Sequence, residues 1–232
     1  FIRARLAARI VYQSEFARRW WEDWFGAVRR PSSVVHNGVD LNLYSPGGQV
    51  GDRPVRLLVV EGSVGGGYEM GLDWAVRLAE TLAAEQRLPM ELMVVGRVAP
   101  ELQSAWQARS RVPIRWAGTL PRERIPEIDR SAHLLFSVDL HPACPNSVIE
   151  ALACGLPVAA FDTGSLAELV TPEAGAVVPY GGDPWKIEPP DIPALAMAAA
   201  DILADLPRYR RGARRRAESA FGLDRMVEGY LQ

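Results

Sequence analysis

From residue 55 onward, apolar residues gather into short, nearly unbroken runs: VRLLVV (Val55–Val60), ELMVVG (Glu91–Gly96), IRWAG (Ile114–Gly118), HLLFSV (His133–Val138), PVAAFD (Pro157–Asp162) and GAVVPY (Gly175–Tyr180). Runs of this length read as strands covered on both faces. Helical spacing fills the gaps, at about Gly71–Gln86, Pro100–Ala108, Arg122–Arg130, Ser147–Cys154 and Ser165–Val170. This alternation predicts an α/β fold, a Rossmann-like doubly wound parallel sheet of about six strands. A Pro/Gly-rich loop, GGDPWKIEPPD, follows Tyr180 and leads to three helices, about Ile192–Ala204, Arg208–Phe221 and Leu223–Leu231. Ahead of the sheet, Phe1 to about Phe25 reads as one helix. Phe16, Trp20 and Trp24 form an aromatic stripe along it, among Arg3, Arg5, Arg9, Arg18 and Arg19. The stripe either packs on the rest of the protein or lies on a membrane surface.

The polar positions matter most where strands end. In a sheet of order 3-2-1-4-5-6 the crevice opens beyond the carboxyl ends of the first and fourth strands. The loop after the first is Glu61-Gly62-Ser63-Val64-Gly65-Gly66-Gly67, and the loop after the fourth opens the stretch DLHPACPNSVIEALACG, Asp139–Gly155. Neither G-x-G-x-x-G nor a P-loop fits the glycine loop, because Met70 stands where the third glycine would fall and no G-K-[ST] is present. Gly62, Gly65, Gly66 and Gly67 let a ligand approach the backbone as an anion nest, or else the loop is merely flexible. In the second loop a helix starts near Ser147 and stops at Gly155 and Pro157. Its free N–H groups, through Val148, form an anion site to which Asn146 and Ser147 add side-chain donors. Glu150 has two readings. It contacts a ligand, or it closes the capping box Ser147-Val148-Ile149-Glu150.

PNSVIEALACGLPVAAFDTGSLAELV resembles the nucleotide-sugar signature of the family 4 retaining glycosyltransferases, enzymes of the GT-B fold with two Rossmann-like domains. SVVHNGVDLNLYSP (Ser33–Pro46) is similar to the family's linker into its C-terminal domain, and VYQSEFARRW (Val11–Trp20) to the helix before that linker. The resemblance covers nearly the whole chain. It implies a donor-binding C-terminal domain over residues 51–206, a helix and linker over 1–50 from an N-terminal acceptor domain outside this sequence, and C-terminal helices over 207–232. It also implies a nucleotide-diphosphate-sugar donor, a glycan or lipid-linked acceptor, and no metal. Glu150 matches the acid expected on the nucleotide ribose, and Glu168 matches a further family acid. Where members carry an arginine and a lysine for the departing diphosphate, this sequence has Ser63 and Met70, and where they carry an acid for the donor sugar it has Pro142. Asp139 and His141 are close enough to substitute for that acid. Arg97, after the second strand, either replaces a lost cation or is solvated.

Composition removes several classes. The chain has 232 residues, 48% of them hydrophobic, and a net charge of −2. No apolar run approaches the ~18 residues of a membrane span, and neither the charge nor any motif suggests nucleic acid. Cys144 and Cys154 read as free thiols in a reducing, cytoplasmic setting. Three histidines without a Cys/His cluster offer no metal site. Lys186 is the only lysine; Arg208, Arg210, Arg211, Arg214, Arg215 and Arg216 make a basic run. That run is a solvated helix face, or it touches anionic lipid at the inner face of a membrane. The chain opens on Phe1 and reads as a piece of a longer protein.

Three functions fit: a retaining glycosyltransferase to which this chain supplies the donor-binding domain, a catalytically degenerate nucleotide-sugar-binding partner or regulator, and a nucleotide-sugar epimerase. The linker and signature favour the first over the third. Ser63, Met70 and Pro142 are the argument for the second.

Overall fold

The computed structural model describes residues 2–48, 51, 54–64 and 69–232. A π-helical turn (Ile2–Leu6) precedes strand β1 (Ile10–Tyr12), helix α1 (Glu15–Phe25) and strand β2 (Ser32–Val34). The linker then leads to β3 (Val55–Val64), α2 (Glu69–Gln86), β4 (Met90–Val98), α3 (Pro100–Arg109), β5 (Ile114–Gly118) and α4 (Ile125–Ser131). The second half holds β6 (Leu134–Phe136), α5 (Asn146–Ala153), β7 (Val158–Phe161), α6 (Leu166–Leu169), β8 (Gly175–Val178), α7 (Ile192–Ala204), α8 (Leu206–Ala220) and α9 (Leu223–Leu231).

Strands β3 to β8 form one sheet in the order β5-β4-β3-β6-β7-β8, every pair parallel. The order in which successive strands are added across the sheet reverses between β3 and β6, the predicted switch point. The apolar runs work as expected of strands buried on both sides. Leu57 and Val59, Leu92 and Val94, and Leu134 and Phe136 face a layer closed by α2 and α7. Leu58, Met93 and Leu135 face the other layer, closed by α5, α6 and α8. A one-residue slip in any of these strands would exchange the two sets.

The N-terminal stretch departs from the expected single helix. Ile10–Tyr12 pairs in parallel with Ser32–Val34, and the helix starts only after Ser14. The Ser14 hydroxyl accepts the Ala17 N–H at 3.0 Å. The Glu168 carboxylate accepts the Glu15 and Phe16 N–H groups at 2.8 and 2.6 Å. Two acidic or hydroxyl acceptors thus fix a helix start that β-branched Ile10 and Val11 could not continue backward. No residue of α1 is buried. Trp21, Trp24 and Phe25 are exposed and pack with the half-buried Trp20, while Phe16, Trp20 and Trp21 line a small hollow with His141 and Trp185.

The basic run is not simply a solvated face. Arg214 donates to the carbonyls of Leu41, Tyr44 and Ala153 at 3.2, 2.8 and 2.8 Å. Arg216 donates to Glu168 and Leu169 carbonyls at 2.6 and 2.9 Å, and Arg210 to the Ala132 carbonyl. Ala153 and Leu169 end α5 and α6, where carbonyls lack helical partners and carry the negative end of the dipole. Three arginines of α8 therefore cap or brace its neighbours. Helix α8 can approach closely because of Gly212, where a Cβ would meet the Glu173 carbonyl.

Candidate functional site

The site is assembled at the switch point, around the first turn of α5. Pro145 is the N-cap residue and offers no side-chain hydrogen bond. Ile149 N–H reaches back to the Pro145 carbonyl at 3.4 Å, which leaves the N–H groups of Asn146, Ser147 and Val148 as the orphans of this terminus. The capping box does not form, because Ser147 is already the second helical residue and Glu150 turns elsewhere. At the other end Gly155, at φ +72°, donates to Leu152, and Leu156 to Ala151, a Schellman closure.

Glu150 faces the linker. Its carboxylate lies 3.8 Å from the Arg122 guanidinium, beside the Tyr44 hydroxyl, which accepts from Arg122 at 3.3 Å. Burial pushes the Glu150 carboxyl up, while the Tyr44 hydroxyl and the Arg122 cation pull it back. Burial also pushes the Tyr44 phenol up to about 12, so it stays a neutral donor. Asn37, from the NGVD segment, donates to the Cys144 carbonyl at 3.0 Å and to the Asn146 side-chain oxygen at 2.8 Å, tying linker to signature loop. Asn37, Arg122, Asn146 and Glu150 line one hollow of about 500 Å3.

A second hollow of about 580 Å3 opens between the ends of β3 and β6. Glu61, Ser63, Met70, Asp139, His141 and Trp185 line it, and no lysine or arginine does so among the described residues. Burial, then the charge of Asp139, pushes the Glu61 carboxyl up to about 8; burial raises Asp139 as well. His141 has φ +117°, a conformation non-glycine residues rarely adopt. It stacks on Trp185, with centroids 3.7 Å apart, and the Phe16 ring lies 6.3 Å away and nearly parallel to it. Its Nε2 is buried without a partner. Burial lowers its pKa, so the ring is neutral at pH 7.

The expected residues therefore fall into separate places. Asn146 and Glu150 come together, and so do Ser63, Asp139 and His141, but no residue lines both hollows. Arg97 lines a third surface, beside Ser63 and Glu69. Gly62 is exposed at the end of β3. Val148 buries its side chain completely and offers only its N–H. Gly65, Gly66 and Gly67 lie outside the described residues. Pro142 is a packing wedge: a Cβ at Gly164 would strike it, and its carbonyl accepts the Ser165 N–H at 3.0 Å. Glu168 caps α1 instead of facing either hollow. Both cysteines are free and buried, as expected.

Sequence reasoning missed Tyr44, Arg122, Glu61 and Asp129. Asp129 sits fully buried behind Glu150; burial and the Glu150 charge push its carboxyl well above the usual range. Glu61 did carry a signal, an acid ending an apolar strand. Tyr44 and Arg122 carried none, since their meeting depends on how the linker crosses α4.

A model of the family described as glycosyl transferases group 1 matches residues 56–205. The chain belongs to that family. It is 28% identical over 242 residues to a D-inositol 3-phosphate glycosyltransferase of Geodermatophilus obscurus, covering 97% of this chain and 52% of that protein. It is 27% identical over 148 residues to a 2-deoxystreptamine N-acetyl-D-glucosaminyltransferase of Streptomyces fradiae, covering 62% of this chain and 33% of that one. The chain thus spans a third to a half of the curated relatives it matches. Solved structures with the same fold include a glycosyltransferase from Rickettsia africae (TM-score 0.75, 16% identity, 96% of this chain and 62% of that one). Another is Anabaena HepE in complex with UDP (TM-score 0.74, 15% identity, 98% and 63%). Among the described residues no helix is long and apolar enough to cross a membrane, and no cluster of His, Cys, Asp or Glu could hold a metal ion.

Proposed function

We propose that this chain supplies the donor-binding half of a retaining glycosyltransferase, which moves a sugar from a nucleotide diphosphate to an acceptor hydroxyl without a metal. The observation that carries the reading is the uncapped start of α5 at the switch point. Three free N–H groups and the positive end of the helix dipole await an anion there, with Glu150 free of the helix it would otherwise close. In this reading Asn146, Ser147 and Val148 hold the diphosphate. Glu150 takes the ribose hydroxyls, oriented by Arg122 and Tyr44. The hollow with Ser63, Asp139 and His141 receives the sugar, and Arg97 stands beside Ser63 on the adjoining surface. The acceptor, a glycan or a lipid-linked sugar, is held by an N-terminal domain that residues 1–50 adjoin, and residues 51–206 form the donor domain ahead of the C-terminal helices. HepE was solved with UDP, which favours a uridine diphosphate donor here.

A second reading has its own observation. The family's sugar-binding acid is replaced by the buried wedge Pro142, and the neighbouring hollow pairs two carboxyls where cations are expected. A nucleotide-sugar-binding partner without turnover fits that arrangement.

Thermal unfolding with UDP, GDP, ADP and their sugars tests both. Ligand at about 100 times its dissociation constant adds about 2.7 kcal/mol, a shift of a few degrees. A selective shift abolished by Glu150→Ala is the expected result; no shift with any nucleotide, in folded protein, would sink the proposal. Sugar transfer by the full-length protein, lost in Glu150→Ala, separates the enzyme from the binding partner.

A further inference from the structure

At the amino end of the sheet lies a cavity of about 1140 Å3 that shares no lining residue with the hollows above and that the proposed function does not use. The start of β3 (Val55), Leu88 before β4, His133 before β6 and the Cys154–Gly155 turn that ends α5 contribute to it. Its opposite wall is α8. Leu203, Leu206 and Pro207 supply apolar surface, and Arg210, Arg211, Arg214 and Arg215 supply charge.

Two features single this cavity out. The first is the charge balance. Its described lining holds four arginines and no carboxylate, in a protein whose net charge is −2. Arg214 is committed to three carbonyls and to Glu218, and Arg210 makes one carbonyl bond with no acidic partner. Arg211 and Arg215 are exposed and make no hydrogen bond or ion pair among the described residues. Burial without a counter-charge lowers the pKa of Arg210. The second is placement along the helix. Positions 210, 211, 214 and 215 share one face of α8. Arg210/Arg214 and Arg211/Arg215 are like-charge i,i+4 pairs, a destabilising arrangement. A ligand bearing negative charge relieves that repulsion. Guanidinium forks match phosphate oxygens in bidentate geometry, which a lone lysine does not.

We propose that this cavity is a second ligand site, which takes a phosphate ester carried on an apolar body. Arg211 and Arg215 grip the phosphate, with Arg210 behind them, and the apolar body lies against Val55, Leu88, Leu203 and Leu206. The ligand is either the headgroup end of an anionic lipid or a soluble phosphate ester of similar make-up; both present the same chemistry to the cavity.

The test uses the chain described here and titrates it with short-chain dihexanoyl phosphatidic acid below its micellar concentration. Parallel arms use inorganic phosphate, vesicles of phosphatidylcholine with and without phosphatidic acid, and the double variant Arg211→Gln/Arg215→Gln. Neither arginine has a partner to lose, and a thermal melt checks that the variant folds. Saturable binding of the short-chain lipid, weakened about tenfold or more in the double variant, is the expected result. Vesicle binding that depends on phosphatidic acid and on the same two arginines would assign the ligand to a membrane; binding of the soluble ester alone would assign it to a free metabolite. Inorganic phosphate binding as tightly as the ester would overturn the apolar half of the proposal. No binding by folded protein, or binding unchanged in the double variant, would overturn the whole. UDP added at saturation serves as a further control: displacement of the ester by UDP would place it at α5 and reject the second site.

Discussion

The two ends of the sheet differ in which charged side chains they gather, and the difference is the reverse of a simple expectation. At the carboxyl end, where a diphosphate is proposed to bind, Glu61 and Asp139 line one hollow, Glu150 and Arg122 share the other, and Arg97 lines the surface beside Ser63. At the amino end four arginines share a cavity without a carboxylate among its described lining. The difference means that the proposed anion recognition at α5 would have to rest on backbone N–H groups and the helix dipole. The arginines of α8 serve first to satisfy carbonyls and only then to offer free charge.

Arg214→Met breaks the comparison most severely. It strips hydrogen bonds from three carbonyls and uncaps α5. The expected loss is about 3–5 kcal/mol in urea unfolding; a loss below about 1 kcal/mol would mean that these carbonyls find water as readily. Glu61→Gln comes next. The folded protein keeps a proton on Glu61 up to about pH 8, whereas the unfolded chain releases it near 4.5. Between those values the native state binds more protons, so stability falls as pH rises through that window. The variant is expected to be more stable than the wild type by up to about 5 kcal/mol above pH 8 and equal to it in acid. Melts across pH that superimpose for the two proteins would remove the carboxyl pair from the account. Ser63→Arg restores a cation at the carboxyl end and is expected to tighten nucleotide-diphosphate binding by about tenfold or more in calorimetry. The smallest effect is the stability of Arg211→Gln, expected within about 0.5 kcal/mol of wild type. With Arg214→Met it separates the arginines that build the fold from those left over.

Much of this architecture was legible because parallel strands covered on both faces leave a strong pattern. Val55–Val60 and Glu91–Gly96 locate β3 and β4, though both strands run longer, to Val64 and Val98. The switch point then follows from strand order alone. Local sequence failed where the deciding partner is remote. Ser147 and Glu150 have capping-box spacing, yet the helix already starts at Asn146 behind an N-cap at Pro145, and Arg122 and Tyr44 claim the carboxylate. The arginine run reads as a solvated face because its carbonyl acceptors lie some 40 to 170 residues away in sequence. The start of α1 was hidden for the same reason, since Glu168 supplies half of its cap.

Helix α5 is closed at one end and open at the other. Gly155 and Arg214 secure its last turn, while its first turn begins on a proline and a long 3.4 Å hydrogen bond. Fraying of so short a helix therefore starts from the end that would meet a ligand. Amide exchange at Ile149 and Glu150 is accordingly expected to run ahead of that at Ala153 and Cys154. A bound anion would slow the first pair and barely touch the second, so the helix itself records occupancy of its free end.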